Sequence, residues 1–432
     1  MINGRAVKAA YFIGIGGIGM SALAQYFKDR GVVVTGSDRE RSPVTELLER
    51  KGISVAVPQR AENVSVGVGA VVYSDAVPED NPERARAKEL NIPQLSYFEM
   101  LGKVSEGKRS VAVAGTHGKT TTTGMLAKIL TDAGAAPTAI IGSIVKDFGS
   151  NYVPGASGLF VVEACEYRDH LLELSPEVLV INNLEWDHTD FFPSLGALQE
   201  TFRKAVERVS EDGVIVTDPS NPNIRPLLAG AKARVIDYTK ESAYELRLPG
   251  EFNQSNARAA AAAARAALPV ISGAVIAQSL ASFQGTWRRF EYKGKTVHRA
   301  DVYDDYAHHP TAAKETLRAL RAKTAGRIFV AFHPHLYSRT RDLLDGFAAA
   351  FGDADKVFIA PIYAAREIDD GSVSSELLAE RIRANGTDAV ALGSFDAIEQ
   401  ALVRPGAGDA IMTMGAGDIY KVADRLVAQN PG

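Results

Sequence analysis

The run Gly115-Thr116-His117-Gly118-Lys119-Thr120-Thr121 holds the residue types needed to grip a polyphosphate. Glycines there expose backbone N–H groups, Lys119 can bridge the β and γ phosphates of ATP, and the Thr120 hydroxyl can hold Mg2+. The general loop G-x-x-x-x-G-K-[ST] would put a glycine at position 113, which is Val113, so this is a shorter variant. A chance glycine turn would not need Lys and Thr in those two places.

Further on, Val161-Val162-Glu163 ends an apolar run, and a second run leads through Asn182 into Asn183-Leu184-Glu185-Trp186-Asp187-His188-Thr189-Asp190. Ligands of parallel α/β sheets bind at the carboxyl ends of strands, which puts Glu163 and His188 where a held phosphate would be. A carboxylate with an imidazole could hold a second Mg2+ beside the transferring phosphoryl group. Taken without the loop, the same residues would equally describe an exposed carboxylate and a helix cap.

Gly14-Ile15-Gly16-Gly17-Ile18-Gly19-Met20 follows a strand-like run and precedes a helix-like one, the context of a dinucleotide fingerprint, and Ser37-Asp38 ends the next strand-like run. A plain strand-to-helix turn has the same appearance, and a nicotinamide cofactor is only one possible occupant. Asp304-Asp305-Tyr306-Ala307-His308-His309-Pro310 and His333-Pro334-His335-Leu336-Tyr337-Ser338-Arg339-Thr340 together carry four of the eight histidines. Catalytic zinc typically takes three protein ligands and an open position, and the helical i, i+4 spacing common in such sites is missing. A polar wall for an anionic or zwitterionic substrate, with Arg339 for a carboxylate, suits these residue types better; ordinary strand-end turns are the plain alternative. Arg288-Arg289 alone is an ordinary surface charge pair.

These groups must be positioned by elements that alternate along the chain. Apolar runs at 9–14, 32–37, 70–74, 110–114, 159–163, 178–182 and 213–217, then 328–332, 356–361 and 410–414, are separated by helix-like stretches. Such alternation predicts βα units and mostly parallel sheets, an α/β fold. At 432 residues the chain exceeds one ordinary core. Charged residues 103–109 and the polar segment 284–296 are the predicted junctions, giving domains 1–106, 107–290 and 291–432. The alanine-rich run 256–268 predicts one packed helix.

With 48 Lys plus Arg against 52 Asp plus Glu, the net charge near −4 argues against a chain-wide basic surface for nucleic acid or membrane. A single cysteine, Cys165, excludes an intramolecular disulfide and fits a reducing compartment. Arg5 and Lys8 before the apolar residues 9–15 imitate a secretory signal, but glycines break the run and no clear cleavage site follows. No stretch approaches the roughly 20 apolar residues of a membrane span. The expectation is a cytoplasmic chain acting on small molecules, its oligomeric state open.

Taken in order, the motifs at 14–20, 115–123, 163–168 (Glu-Ala-Cys-Glu-Tyr-Arg), 288–291 (Arg-Arg-Phe-Glu), 304–310 and 334–340 resemble the Mur ligases of peptidoglycan synthesis over nearly the whole chain, in their alanine-adding branch. The resemblance implies an N-terminal Rossmann-like domain for a UDP-sugar, a central P-loop ATPase-like Mur ligase domain and a C-terminal Rossmann-like α/β domain for the amino acid. It implies that ATP phosphorylates the lactyl carboxylate of UDP-N-acetylmuramate and that L-alanine then attacks the acyl phosphate. By position it assigns Gly115 to Thr121 to ATP phosphates, Thr120 to one Mg2+, and Glu163 and His188 to another. Asn253, Arg289 and Asp305 would serve the nucleotide. Tyr306, His308, His335 and Arg339 would serve the amino acid, and Gly16, Gly17, Ile18, Gly19, Met20, Ser37, Asp38 and Ser74 the UDP part.

The chain departs from the family pattern in three places. Phe252 replaces a histidine before Asn253, only some 30 residues separate Asp218 from Pro249, and Arg203 stands where several relatives carry a carbamylated lysine, with Lys204 beside it. Three other readings compete: a ligase joining a whole tripeptide to the same UDP-sugar, a nucleotide-binding regulator without catalysis, and an NAD-dependent dehydrogenase read from the first glycine turn alone.

Overall fold

The computed structural model describes residues 7–429, so Arg5 lies outside the described residues. Its strands form three separate sheets. The first contains β1 (Ala9–Ile13), β2 (Val33–Ser37), β3 (Ser54–Ala56), β4 (Ala70–Tyr73) and β5 (Gln94–Ser96) in the order β3-β2-β1-β4-β5, all parallel. The second contains β6 (Arg109–Ala114), β7 (Thr138–Val145), β8 (Ser150–Val153), β9 (Leu159–Glu163), β10 (Val178–Ile181), β11 (Val214–Thr217) and β12 (Arg234–Asp237). Its order is β12-β11-β10-β6-β9-β7-β8, antiparallel only between β7 and β8. The third contains β13 (Glu291–Lys295), β14 (Asp301–Asp305), β15 (Ile328–Phe332), β16 (Lys356–Ile359), β17 (Asp388–Ala391) and β18 (Ala410–Met414), in the order β13-β14-β18-β15-β16-β17.

Central strands such as β6, β10 and β15 are apolar on both faces, because helices cover both sides of a parallel sheet. In the third sheet the two faces bury separate clusters, one around Phe332, Phe347 and Phe351 and one around Phe329, Ile411 and Leu426. Chain order reverses at β1/β4 in the first sheet and around β6 in the second, and such switch points open a crevice at the strand ends.

By their contacts the residues form two compact units. The first takes residues up to Leu184, Gln199–Tyr244 and Asn256–Phe283, and so includes two sheets; the second takes Glu185–Leu198, Glu245–Ser255 and the chain from Gln284. Inside the first unit, the helix Ile18–Asp29 meets the β7/β8 pair through Gln25 Nε2 on Asn151 Oδ1 (3.0 Å) and Asn151 Nδ2 on Ser21 Oγ (2.8 Å).

Two sequence expectations change. The segment 284–296, read as a junction, contains strand β13, an edge strand antiparallel to β14; its half-exposed Glu-Tyr-Lys-Gly-Lys has no apolar alternation to announce it. The alanine-rich helix begins at Glu251 and runs to Ala267, so it takes in Phe252 and Asn253.

Candidate active site

In the first unit the phosphate loop leaves β6 with β10 on one side and β9 on the other. Gly115 has φ +126°, and a Cβ there would lie 2.9 Å from the Asn183 carbonyl oxygen; Gly118 has φ +78°, and its Cβ would lie 2.1 Å from Asn256 Oδ1. Both positions therefore demand glycine, for backbone conformation and for space. Asn183 secures the loop, accepting from Thr116 N through its carbonyl (3.2 Å) and from His117 N through Oδ1 (2.8 Å). Asn182 Nδ2 donates to Thr122 Oγ1 (3.0 Å), and Thr122 donates to Asn256 Oδ1 (3.3 Å). Lys119 and Thr120 open the helix Lys119–Asp132, whose N-terminal amides and dipole favour an anion. Thr121 is buried in the same turn.

The Lys119 ammonium donates to Glu166 Oε1 (2.9 Å) and to the carbonyls of Gly115 (2.5 Å) and Thr116 (3.3 Å). Burial disfavours its charge, but Glu166 and the other acidic groups nearby more than offset this and hold its pKa above the usual value. Thr120 Oγ1 donates to Glu163 Oε1 (3.0 Å), while Glu163 Oε2 accepts from Gly142 N (2.7 Å). A hydroxyl and a carboxylate oxygen converging in this way are the hard donors that Mg2+ takes, and the residues fit that ion. Cys165, beside them, has its thiol pushed up to about 12 by burial and Glu166, which makes it a poor nucleophile.

A cavity of about 260 Å³ opens in the same unit, lined by Gly17, Ile18, Gly19, Met20 and Ser74 from the first sheet's switch point and by Gly142, Glu163 and Cys165 from the second sheet. Gly16 N donates to Asp38 Oδ2 (2.8 Å) and Arg39 N to Asp38 Oδ1 (2.7 Å), so this carboxylate pins the glycine turn. Ser37 is fully buried; its carbonyl accepts from Gly14 N and Ile15 N (both 2.9 Å) and its hydroxyl donates to Glu83. The structure thus gives Ser37 and Asp38 the work of shaping the turn.

The second unit carries His188, Asn253, Arg289, Asp305, Tyr306, His308, His335 and Arg339. Arg339, only 2% exposed, donates from Nε to Asp187 Oδ1 (2.7 Å) and meets His335 Nδ1 through Nη1 (2.9 Å). Burial would raise the Asp187 carboxyl, but Arg339 and the surrounding histidines hold it well below the usual range. Burial and the Arg339 charge keep both imidazoles neutral, with His335 pushed down to about 3 and His308 well below its ordinary value. His308 Nδ1 is 2.9 Å from the Tyr306 carbonyl oxygen, which makes Nδ1 the protonated nitrogen. The neutral His308 ring, protonated at Nδ1, can accept from an ammonium through Nε2, whereas His335 spends its acceptor Nδ1 on Arg339 and presents Nε2 as a donor.

His188 adopts φ +53°, and its amide donates to Asp187 Oδ1 (2.6 Å). Asp305 accepts from Phe290 N and Ala307 N (both 2.7 Å), and burial pushes its carboxyl up to about 6 despite Arg289. The Arg289 guanidinium lies 5.0 Å from the Tyr306 ring centroid. Asn253 Nδ2 donates to the Pro249 carbonyl (2.7 Å), and Phe252 packs on the second unit's core. Arg288 belongs to the scaffold: it is buried, bonded to Asp304 (2.8 Å) and to the carbonyls of Gly415 (2.6 Å) and Gly417 (2.9 Å). On the helix Leu195–Arg208, Arg203 pairs with Glu200 (2.6 Å) and with Glu207.

Sequence reasoning missed Glu166, Asp187, Asn182, Asn183 and Asn256. The Asn182-Asn183 pair at the end of an apolar run was a readable signal; the partners of Glu166 and Asp187 were not.

Three family profiles match the chain: "Mur ligase family, catalytic domain" over residues 9–109, "Mur ligase middle domain" over 113–245 and "Mur ligase, glutamate ligase domain" over 288–417. The chain is 40% identical to the UDP-N-acetylmuramate–L-alanine ligase of Acetivibrio thermocellus, over 97% of this chain and 96% of that one. It is 38% identical to the ligase of the same name from Caldanaerobacter subterraneus, over 98% of each. Among solved structures, the UDP-N-acetylmuramate-alanine ligase of Thermotoga maritima superposes with a TM-score of 0.79 at 28% identity, covering 98% of both chains. A murein peptide ligase of Psychrobacter arcticus gives a TM-score of 0.74 at 25% identity, covering 98% of this chain and 99% of the other.

Proposed function

We propose, from the premise that the chain belongs to the Mur ligase family, that it joins L-alanine to UDP-N-acetylmuramate, converting ATP to ADP and phosphate, as a step in peptidoglycan synthesis. The observation that carries the reading is the double engagement of Glu163. It accepts from Thr120 of the phosphate loop and also lines the cavity that begins at the glycine turn. A UDP-sugar filling that cavity, diphosphate at the turn, presents its carboxylate to the γ-phosphate.

A carboxylate oxygen attacks the γ-phosphorus, ADP departs, and an acyl phosphate forms. The amine of L-alanine then adds to the acyl carbon, phosphate leaves, and the amine loses a proton to give the amide. A free carboxylate is a poor acyl donor because it has no adequate leaving group; phosphorylation supplies one. Both steps gather negative charge on phosphoryl oxygens, where the Lys119 ammonium and the helix N-terminus act. Mg2+, with Thr120, Glu163 and His188 offering the donor types, would neutralise phosphate charge. Tyr306, His308, His335 and Arg339 are assigned to the amino acid, the neutral His308 suiting its ammonium and the donors of His335 and Arg339 its carboxylate. Asn253, Arg289 and Asp305 are assigned to the nucleotide. Domain limits of 1–106, 107–290 and 291–432 are supported by where the three sheets begin and end. A cytoplasmic place suits a chain that consumes ATP; no helix among the described residues is long and apolar enough to cross a membrane.

The test is phosphate release with UDP-N-acetylmuramate, ATP, Mg2+ and a panel of amino acids and peptides. Turnover with L-alanine, and an amide product of matching mass, is expected. Turnover with a tripeptide alone would replace the amino-acid assignment, and no turnover with any acceptor would favour a non-catalytic nucleotide-binding protein.

A further inference from the structure

The cavity of the first unit has an acidic wall residue that the ligation chemistry does not use. Asp75 follows β4, lines the cavity beside Ser74 and is joined there by Phe98. Both are held from behind by His170. His170 Nε2 lies 2.8 Å from Asp75 Oδ2, and the His170 ring stacks on Phe98 with centroids 3.7 Å apart and planes 14° from parallel. Asp75 Oδ2 and His170 Nδ1 are both buried with no hydrogen-bond partner among the described residues, so the approach of Nε2 to the carboxylate is a close polar contact that fixes where Asp75 sits. The segment that carries His170 is itself constrained. Arg168 and Asp169 adopt φ +51° and +62°, and the Asp169 carboxylate accepts from Thr201 Oγ1. Two successive left-handed residues cost conformational energy and persist only where the surroundings hold them.

A carboxylate facing the site of an anionic substrate repels it, unless it accepts a hydrogen bond that the substrate offers. The UDP-sugar assigned above has its donors on the pyranose ring, between diphosphate and lactyl carboxylate. Gly17 of the glycine turn, Asp75 and Glu163 all line this one cavity, so a pyranose joining a diphosphate at the turn to a carboxylate near Glu163 would share it with Asp75. We propose that Asp75 is a specificity-determining residue that accepts a hydrogen bond from a ring hydroxyl or the acetamido N–H of the muramyl sugar, and that His170 is the positioning residue that aims Asp75 and Phe98. The proposal rests on the ligase reading, since that reading supplies the sugar.

The test measures KM for each substrate in the full-length wild type, Asp75→Asn, His170→Phe and the double variant. His170→Phe retains a ring against Phe98 and loses the Nε2 contact with Asp75. Loss of a hydrogen bond to a charged group predicts a KM for UDP-N-acetylmuramate raised roughly tenfold to a hundredfold in each single variant. KM for ATP and L-alanine should stay within about twofold, and the double variant should be no worse than Asp75→Asn, because His170 acts through Asp75. Analogues lacking the 4-hydroxyl, lacking the 6-hydroxyl or carrying an ester in place of the acetamide identify the donor. One of them should lose about tenfold with the wild type and nothing further with Asp75→Asn. Three analogues all accepted like the native sugar by the wild type would overturn the proposal even if the variants failed to fold. Equal rises in KM for all three substrates would overturn it as well, by making the role merely structural. Wild-type turnover separates the two levels: without it the ligase reading and this inference fall together, whereas turnover with unchanged sugar KM in the variants sinks the inference alone.

Discussion

Lys119 and Arg339 are both buried cations held by a carboxylate, Glu166 at 2.9 Å and Asp187 at 2.7 Å, yet their settings differ. Lys119 ends in a point charge on a flexible stem, its other partners are two carbonyls of its own loop, and its side chain remains 16% exposed. It can exchange one oxygen for another, as a group that follows a phosphoryl through transfer must. Arg339 is a rigid fork wedged between Asp187 and a neutral imidazole, with 2% of its side chain exposed. Its charge has nowhere else to go. The first pair leaves its cation partners that can change, and the second holds its cation fixed, which on the proposed assignment makes it a wall for the amino acid.

The largest expected effect breaks the first member. Lys119→Ala should lower ligation by at least about 10²- to 10³-fold while leaving UDP-sugar binding nearly intact by calorimetry. Equal loss of both would mean that the phosphate loop and the sugar cavity are not separable. Asp187→Ala breaks the second member and strands a buried guanidinium, so chemical denaturation should report a loss of about 3–5 kcal/mol. Pairing it with Arg339→Met should recover most of that loss. Glu166→Gln sharpens the contrast: because the Lys119 ammonium keeps other acceptors, its stability cost should be clearly smaller than that of Asp187→Ala. If the two cost the same, the distinction between exchangeable and fixed cation is wrong.

A smaller effect concerns pH. Burial raises the Asp305 carboxyl to about 6 from an ordinary value near 3.8, so the folded chain holds this proton more tightly than the unfolded one. Stability from this group is full below about pH 4 and is lost as pH rises to about 6, by roughly 3 kcal/mol at most. Asp305→Asn should remove that slope from the difference between wild-type and variant denaturation curves over the same window; an unchanged slope would show the carboxyl to be ordinary.

Much of the first unit's site was legible because it is contiguous. Glycines, Lys119 and Thr120 follow one another after an apolar strand, and the positive φ values at Gly115 and Gly118 are what those glycines announce. The hairpin-like β7/β8 pair was not legible, because Ser143, Ser150 and Asn151 are buried polar residues inside it and blur the pattern. Nor was the early start of the helix at Glu251, since Phe252 and Asn253 owe their places to the second unit's core and to the Pro249 carbonyl.

The sequence by itself determined the α/β class, the parallel strands that carry the candidate sites, and the glycine loop between β6 and its helix, because hydrophobic period and local turn chemistry act between near neighbours. Only the tertiary structure decided which carboxylate holds which cation. Asp187 and Arg339 lie 152 positions apart, and the segment 185–198 groups with the second unit although β10, the strand before it, belongs to the first. Such pairings are set by burial, where an unpaired charge is too costly to keep, and burial is a property of the folded chain that no short stretch of sequence records.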